Sequence, residues 1–220
     1  MTNGPLTPKH PVPNQQVVRD FFQLHMQLYG DDWRALGWQS HYTQQRRFAV
    51  LAEVGPLAHK RVLDVGCGLG HLYEYLQAQG IPVTYTGYDL LPDMIKRARQ
   101  RFPEVHFEVQ DVLQGLGEER FDYILSSGAF NVNFGDNIHA VQQVLRDMVQ
   151  HCTEGVAINF LKRTADASDD PIFQYYHPRD MLAFCQTLCP RVRLREGYLY
   201  NDFTLYLYPA RVSDQTVERP

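Results

Sequence analysis

Arg61-Val62-Leu63-Asp64-Val65-Gly66-Cys67-Gly68-Leu69-Gly70-His71-Leu72 reads as a buried strand that meets an acid, breaks into a glycine turn and enters a helix. Glycine at alternate positions removes side chains where a backbone approaches something closely. The helix start just beyond is expected to offer N–H groups to a ligand. Such a turn is where a nucleotide-like cofactor is expected.

The chain around this stretch alternates. Strands are expected at 61–65, 83–88, 105–109, 121–126 and 155–161, with helices at 71–79, 92–101 and 136–151 between them. The last of these helices carries Ile138, Val141, Leu145 and Met148 at helical spacing. This alternation predicts a parallel sheet with helices on both faces. A helix near 179–187 and strands at 191–197 and 203–208 close the chain. The gap between those two strands is too short for a crossover helix, so they are expected to pair antiparallel.

Two helices precede the first strand. One runs from the cap Asn14 to about Tyr29, with Val17, Phe21, Leu24 and Leu28 as its expected buried face; the other spans about Ser40 to Val54 and uses Phe48, Leu51 and Ala52. The organisation expected is a flexible tail at 1–13, a helical cap or lid at 14–56, a cofactor-binding domain at 57–210 and a second tail at 211–220.

At 220 residues one domain buries roughly 70% of its unfolded surface and needs no staple. With a net charge of −4 and no Lys/Arg block, the chain is a poor match for nucleic acid, which needs a positive footprint. Cys67, Cys152, Cys185 and Cys189 form no CxxC pair, so no metal is expected and a reducing compartment fits. The N-terminal stretch has no apolar core and reads as neither signal peptide nor membrane anchor, so the expected location is cytoplasmic.

The glycine spacing discriminates between cofactors. A dinucleotide turn is G-x-G-x-x-G, whereas Gly66, Gly68 and Gly70 alternate, with Asp64 two residues before the first. A carboxylate there opposes pyrophosphate and suits a cationic amino group, which S-adenosylmethionine carries without any phosphate. Asp89, 19 residues past Gly70, ends the second strand where a carboxylate accepts ribose hydroxyls. Asp111 follows the third strand, at a spot suited to an adenine amine. Singly these acids have plainer readings: a turn former, a helix cap and a loop acid.

Together they resemble the class I S-adenosylmethionine-dependent methyltransferases. Val62 to Gly70 resembles that family's first motif, Asp89 and Asp111 its second and third acidic positions, and the closing hairpin its antiparallel seventh strand. The resemblance implies a Rossmann-like α/β fold with a seven-stranded, mostly parallel sheet. It implies Asp64 near the methionine amino group, Gly66 and Gly68 under the cofactor, Asp89 on the ribose and Asp111 on adenine. Cys67 (there for its size), Leu90, Met94, Val112 and Ser127 are counted with them on the cofactor side, and the product is S-adenosylhomocysteine.

Ser126-Ser127-Gly128-Ala129-Phe130-Asn131 stands at the fourth motif. It lacks the N-P-P-Y-like tetrapeptide by which methyltransferases of exocyclic base amines resemble one another. A small-molecule acceptor is therefore the first expectation. An RNA or protein methyltransferase, or a non-catalytic S-adenosylmethionine-binding module, is the alternative. His177 is the candidate general base because imidazole titrates near neutrality, with Tyr176 and Asn131 as further catalytic candidates. Trp38, Tyr42, Arg46, Tyr175 and Tyr198 are the candidates for holding the acceptor. The plainer readings are a surface histidine before a proline, aromatic packing and a turn-forming asparagine.

Overall fold

The computed structural model describes residues 13–164 and 170–210. The tails expected at 1–13 and 211–220 fall outside these residues, apart from Pro13, as does the stretch 165–169.

Seven strands form one sheet: β1 Arg61–Val65, β2 Thr84–Asp89, β3 His106–Val109, β4 Phe121–Ser127, β5 Cys152–Leu161, β6 Arg191–Glu196 and β7 Asp202–Tyr208. Their spatial order is β3-β2-β1-β4-β5-β7-β6. The first five are parallel, with Val62 opposite Tyr85 on one side and Tyr123 on the other. β7 inserts antiparallel between β5 and β6, matching Ile158 to Leu205 and Leu194 to Leu205. The chain builds outward from β1 to β3 and then restarts at β4 on the other side. This reversal opens a crevice at the carboxyl ends of β1 and β4, where ligands bind in such sheets.

Alternate residues of the central strands feed two opposite cores, as a period of two requires. Leu63 and Ile124 pack with Val141, Val144, Leu145 and Met148 of α5 (Asn137–His151) and with Met181 and Cys185 of α6 (Pro178–Gln186). Val62 and Leu125 pack instead with α2 (His41–Ala52), α3 (His71–Ala78) and α4 (Pro92–Arg101), through Phe48, Leu51, Leu72, Leu76, Ile95 and Ala98. Complete burial of each such side chain is worth about 1.5–3 kcal/mol. Ile138 departs from the expected stripe and stays half exposed.

α1 (Gln15–Tyr29) crosses the crevice instead of covering a sheet face. Asn14 caps it, its side chain accepting from the Gln16 N–H at 3.2 Å, and the Asn14 N–H donates to the Phe134 carbonyl at 2.7 Å. The expected buried face is displaced: Val17, Leu24 and Leu28 are exposed at 41%, 53% and 63%, while Val18 and Met26 are buried and Phe22 lies between them. Two neighbouring apolar stripes share this helix, and spacing alone does not rank them. The 18-22-26 stripe wins because it meets the crevice and the small cluster of Ala35, Leu69, Leu91 and Met94.

Candidate active site

β1 delivers the chain into the glycine turn, where Gly66, Gly68 and Gly70 have φ of 76°, 54° and 79°. This left-handed region penalises any Cβ. Space is also short: a Cβ on Gly66 would lie 2.4 Å from Ala129 Cβ, and one on Gly68 would lie 2.7 Å from Leu36 Cδ2. Gly70 packs against Phe107 and Phe102, so it serves the helix–sheet contact.

The turn spends four of its own donors internally. Gly66 and Cys67 both donate to the Tyr88 carbonyl at 2.8 and 3.0 Å, Gly70 donates to the Cys67 carbonyl at 3.0 Å, and Gly68 donates to Asp89 Oδ2 at 2.8 Å. A phosphate cradle needs those groups free.

Beside the turn lies a cavity of about 860 Å³. Gly66, Gly68, Asp89, Leu90, Met94, Asp111, Val112 and Ser127 line it, as does Trp38 from the segment between α1 and α2. Among the described residues its walls carry two carboxylates and no basic side chain, an environment that favours a cationic, phosphate-free ligand. Leu90, Leu91, Met94, Val112 and Phe134 supply apolar surface for a flat ring. Asp89 Oδ1 also accepts from the Leu91 N–H at 2.9 Å, so this carboxylate ties the glycine turn to the end of β2. Asp111 caps a short 3-10 turn through the Leu113 N–H at 3.0 Å and accepts Gln15 Nε2 of α1 at 2.8 Å.

Two expected cofactor residues stand behind this wall. Cys67 is buried with its sulfur turned toward Gly87, where an added Cβ would sit 2.8 Å from it, and burial pushes its thiol well up. Size explains it. Asp64 is 2% exposed; its Oδ2 accepts the Tyr85 hydroxyl and its Oδ1 has no partner. Burial lifts its carboxyl to about 7, opposed by the Tyr85 hydrogen bond and reinforced by the charge of Asp89. Unfolded, the group titrates near 3.8, so between those values the unfolded chain holds fewer protons. In ligand-free protein its contribution to stability is therefore lost as pH rises from about 4 to 7, with a limiting slope of about 1.4 kcal/mol per pH unit. Asp64→Asn is expected to flatten that slope in chemical denaturation run across this range; an unchanged slope would place the titration elsewhere.

A second cavity, of about 740 Å³, adjoins the first and shares Phe22, Leu36, Trp38 and Gly128 with it. Tyr175 and Asn131 line it, as does Arg47, a residue missed in the sequence. Asn131 Oδ1 accepts from the Leu161 N–H at 3.2 Å, which stitches the fourth-motif loop to the end of β5. Arg47 is held by Asp202 through two hydrogen bonds of 2.8 and 2.6 Å, and its guanidinium lies 4.7 Å from the Trp38 ring centroid.

Five other candidates are placed away from both cavities. Tyr42 is 66% exposed. Arg46, half-buried, lies near Tyr75 of α3. One helical position separates it from Arg47: Gln44, Arg47, Phe48 and Leu51 form the buried stripe of α2, and position 46 falls outside it. Tyr176 is wholly buried, stacks on Phe160 and donates its hydroxyl to the Phe130 carbonyl at 2.7 Å. Tyr198 is buried and bonded to Thr204 Oγ1 at 2.9 Å. His177 is exposed at the start of α6, where its side chain makes no capping bond. His177→Ala is accordingly expected to change the thermal midpoint by under about 1 °C and methyl transfer by less than about twofold; a loss of 10²-fold or more would restore it as the base.

A family model described as a methyltransferase domain matches residues 62–155. Rv1506c of Mycobacterium tuberculosis, named as a methyltransferase, is 32% identical over 147 residues, covering 65% of this chain and 86% of that protein. Trans-aconitate 2-methyltransferase of Methylobacterium nodulans is 39% identical over 83 residues, 37% of this chain and 32% of that enzyme. Among solved structures, magnesium protoporphyrin IX methyltransferase from Synechocystis PCC 6803 with bound S-adenosylhomocysteine is similar at a TM-score of 0.66. That likeness covers 90% of this chain and all of the other at 18% identity, so it is one of fold.

Proposed function

The chain belongs to the class I S-adenosylmethionine-dependent methyltransferases, and on that premise we propose that it methylates a small molecule held in the second cavity. One observation carries this reading: two cavities share four walls beneath one helix. α1 is pinned over them by Gln15 on Asp111, by the Asn14 N–H on the Phe134 carbonyl, and by Arg19 Nη1 on the Leu90 carbonyl at 3.0 Å. α1 contributes Phe21 and Phe22 to the lining of the second cavity, and a small acceptor suits a cavity lined by this helix. The relative named for trans-aconitate carries the name of a small acceptor, over a match spanning 32% of that enzyme.

The residues fit the cofactor. Asp89 and Asp111 are the partners we assign to ribose and adenine, and Leu90, Met94 and Val112 would enclose the ring. Asp64 stands behind the wall, with its Oδ1 unpartnered among the described residues, so its role toward the methionine ammonium would be indirect. When bound, S-adenosylmethionine supplies a methyl carbon already activated by its sulfonium. The chain's own task is then to align the acceptor, and alignment of two bound reactants is worth about 7–11 kcal/mol. No histidine is among the described residues that line the second cavity; an acceptor that arrives with a free lone pair needs no base there. The test is to incubate the enzyme with methyl-labelled cofactor and separate small-molecule, RNA and protein fractions of a cell extract. Label is expected in the small-molecule fraction; label confined to RNA or protein would overturn the proposal.

A further inference from the structure

We propose that the second cavity is a carboxylate subsite, in which Arg47 and Trp38 select an acceptor bearing a carboxylate on an apolar body; this rests on the small-acceptor reading above. The Arg47 side chain is 5% exposed and lines the cavity. Its Nε and Nη2 are spent on the two oxygens of Asp202, itself fully buried, which fixes the plane of the guanidinium. Among the described residues its Nη1 has no partner, and neither does the buried Nε1 of Trp38, the ring over which that guanidinium sits. Both are donors that cannot accept. Buried donors left unmet are costly, so they mark where a ligand brings acceptors.

A carboxylate at neutral pH is acceptor-only and matches them. Net charge does not make the selection: among the described residues Arg47 is the sole basic group lining the cavity, Asp202 already offsets it, and Asp170 stands at the same cavity with its Oδ1 on the Ile172 N–H at 2.8 Å. A dianionic phosphate would meet stronger repulsion than a single carboxylate, which the two fixed donors match by hydrogen bonding. An ammonium would find Asp202 already committed and Asn131 Oδ1 occupied by the Leu161 N–H, and its one carboxylate partner, Asp170, would leave the Arg47 and Trp38 donors unmet. Phe21, Phe22, Phe173 and Tyr175 supply flat apolar surface for the rest of the molecule.

The experiment compares benzoate, trans-cinnamate and indole-3-acetate with their primary amides, binding each to the full chain saturated with S-adenosylhomocysteine, by calorimetry and ligand-observed NMR. At least one carboxylate is expected to bind roughly tenfold or more tightly than its amide, since a site built to satisfy buried polar groups rejects the mismatched analogue. The preference is expected to shrink in Trp38→Phe. It is expected to vanish in Arg47→Met/Asp202→Leu, which leaves no charge stranded and is checked for folding by its retained S-adenosylhomocysteine binding. Amides that bind as well as carboxylates would overturn the carboxylate assignment while leaving the small-acceptor reading intact. No aromatic compound binding at all, with S-adenosylhomocysteine still bound, would overturn both. A carboxylate preference that survives in the double variant would remove Arg47 from the role.

Discussion

Asp202→Ala is expected to cost about 3–5 kcal/mol of folding stability, because it strands a buried guanidinium. Arg47 is 4% exposed and bonded through Nε and Nη2 to both oxygens of Asp202, which is 1% exposed. Burial pushes the Asp202 carboxyl up, and the charge and hydrogen bonds of Arg47 work against that. Nothing nearby replaces the lost carboxylate: Tyr198, the adjacent hydroxyl, is paired with Thr204. For a chain of this length each kcal/mol moves the thermal midpoint by about 2–4 °C, so a fall of about 6–20 °C is expected in a melting experiment. Arg47→Met/Asp202→Leu is expected to lose far less, since an apolar pair of similar volume often replaces a buried ion pair at little cost. A single variant that melts within about 1 °C of the parent would show that the pair is solvated and that its geometry does not hold the second cavity.

Asp89→Ala is expected to weaken S-adenosylhomocysteine binding by about 30- to 1,000-fold, or about 2–4 kcal/mol. The ribose contact proposed for Asp89 is one part of this. The larger part is preorganisation: Asp89 draws the Gly68 N–H onto Oδ2 at 2.8 Å and the Leu91 N–H onto Oδ1 at 2.9 Å. Without it, both donors lose their acceptor and the turn that carries Gly66 and Gly68 is no longer fixed to β2. Asp89→Asn keeps one acceptor oxygen and is expected to lose less. Calorimetric titration checks both variants, and parental affinity in Asp89→Ala would detach this carboxylate from the cofactor.

The frame of the molecule was legible because its signals are local. β1, β4 and β5 are built on short apolar runs with a break behind them, and the close spacing of 197 to 201 dictates that β7 runs against β6. The lining of the first cavity was legible because its residues lie at strand ends in sequence order, as Gly66, Asp89 and Asp111 do. The lining of the second was not, because it is assembled across the chain. His177 and Tyr176 looked chemical as a dipeptide, yet one points to water and the other plugs the core beside Phe160. Arg47 stands beside Arg46 in the sequence, and no motif sets the two apart. Its partner Asp202 lies 155 residues away, beyond the reach of any spacing rule. The phase of Gln44, Phe48 and Leu51 was the one available clue, since it turns position 47 inward. The same difficulty hid Val18 and Phe22, which differ from the exposed Val17 and Leu24 only by a rotation of α1.

Trp38 stands on the wall common to both cavities. Since the chain has two tryptophans, Trp33→Phe leaves Trp38 as the sole indole reporter. Titrating that variant with S-adenosylhomocysteine is expected to give a saturable change in indole emission, with one-to-one binding heat and no response to NAD. Binding heat without any change at Trp38, or a response to NAD in place of S-adenosylhomocysteine, would contradict the assignment of the cofactor to the crevice beneath α1.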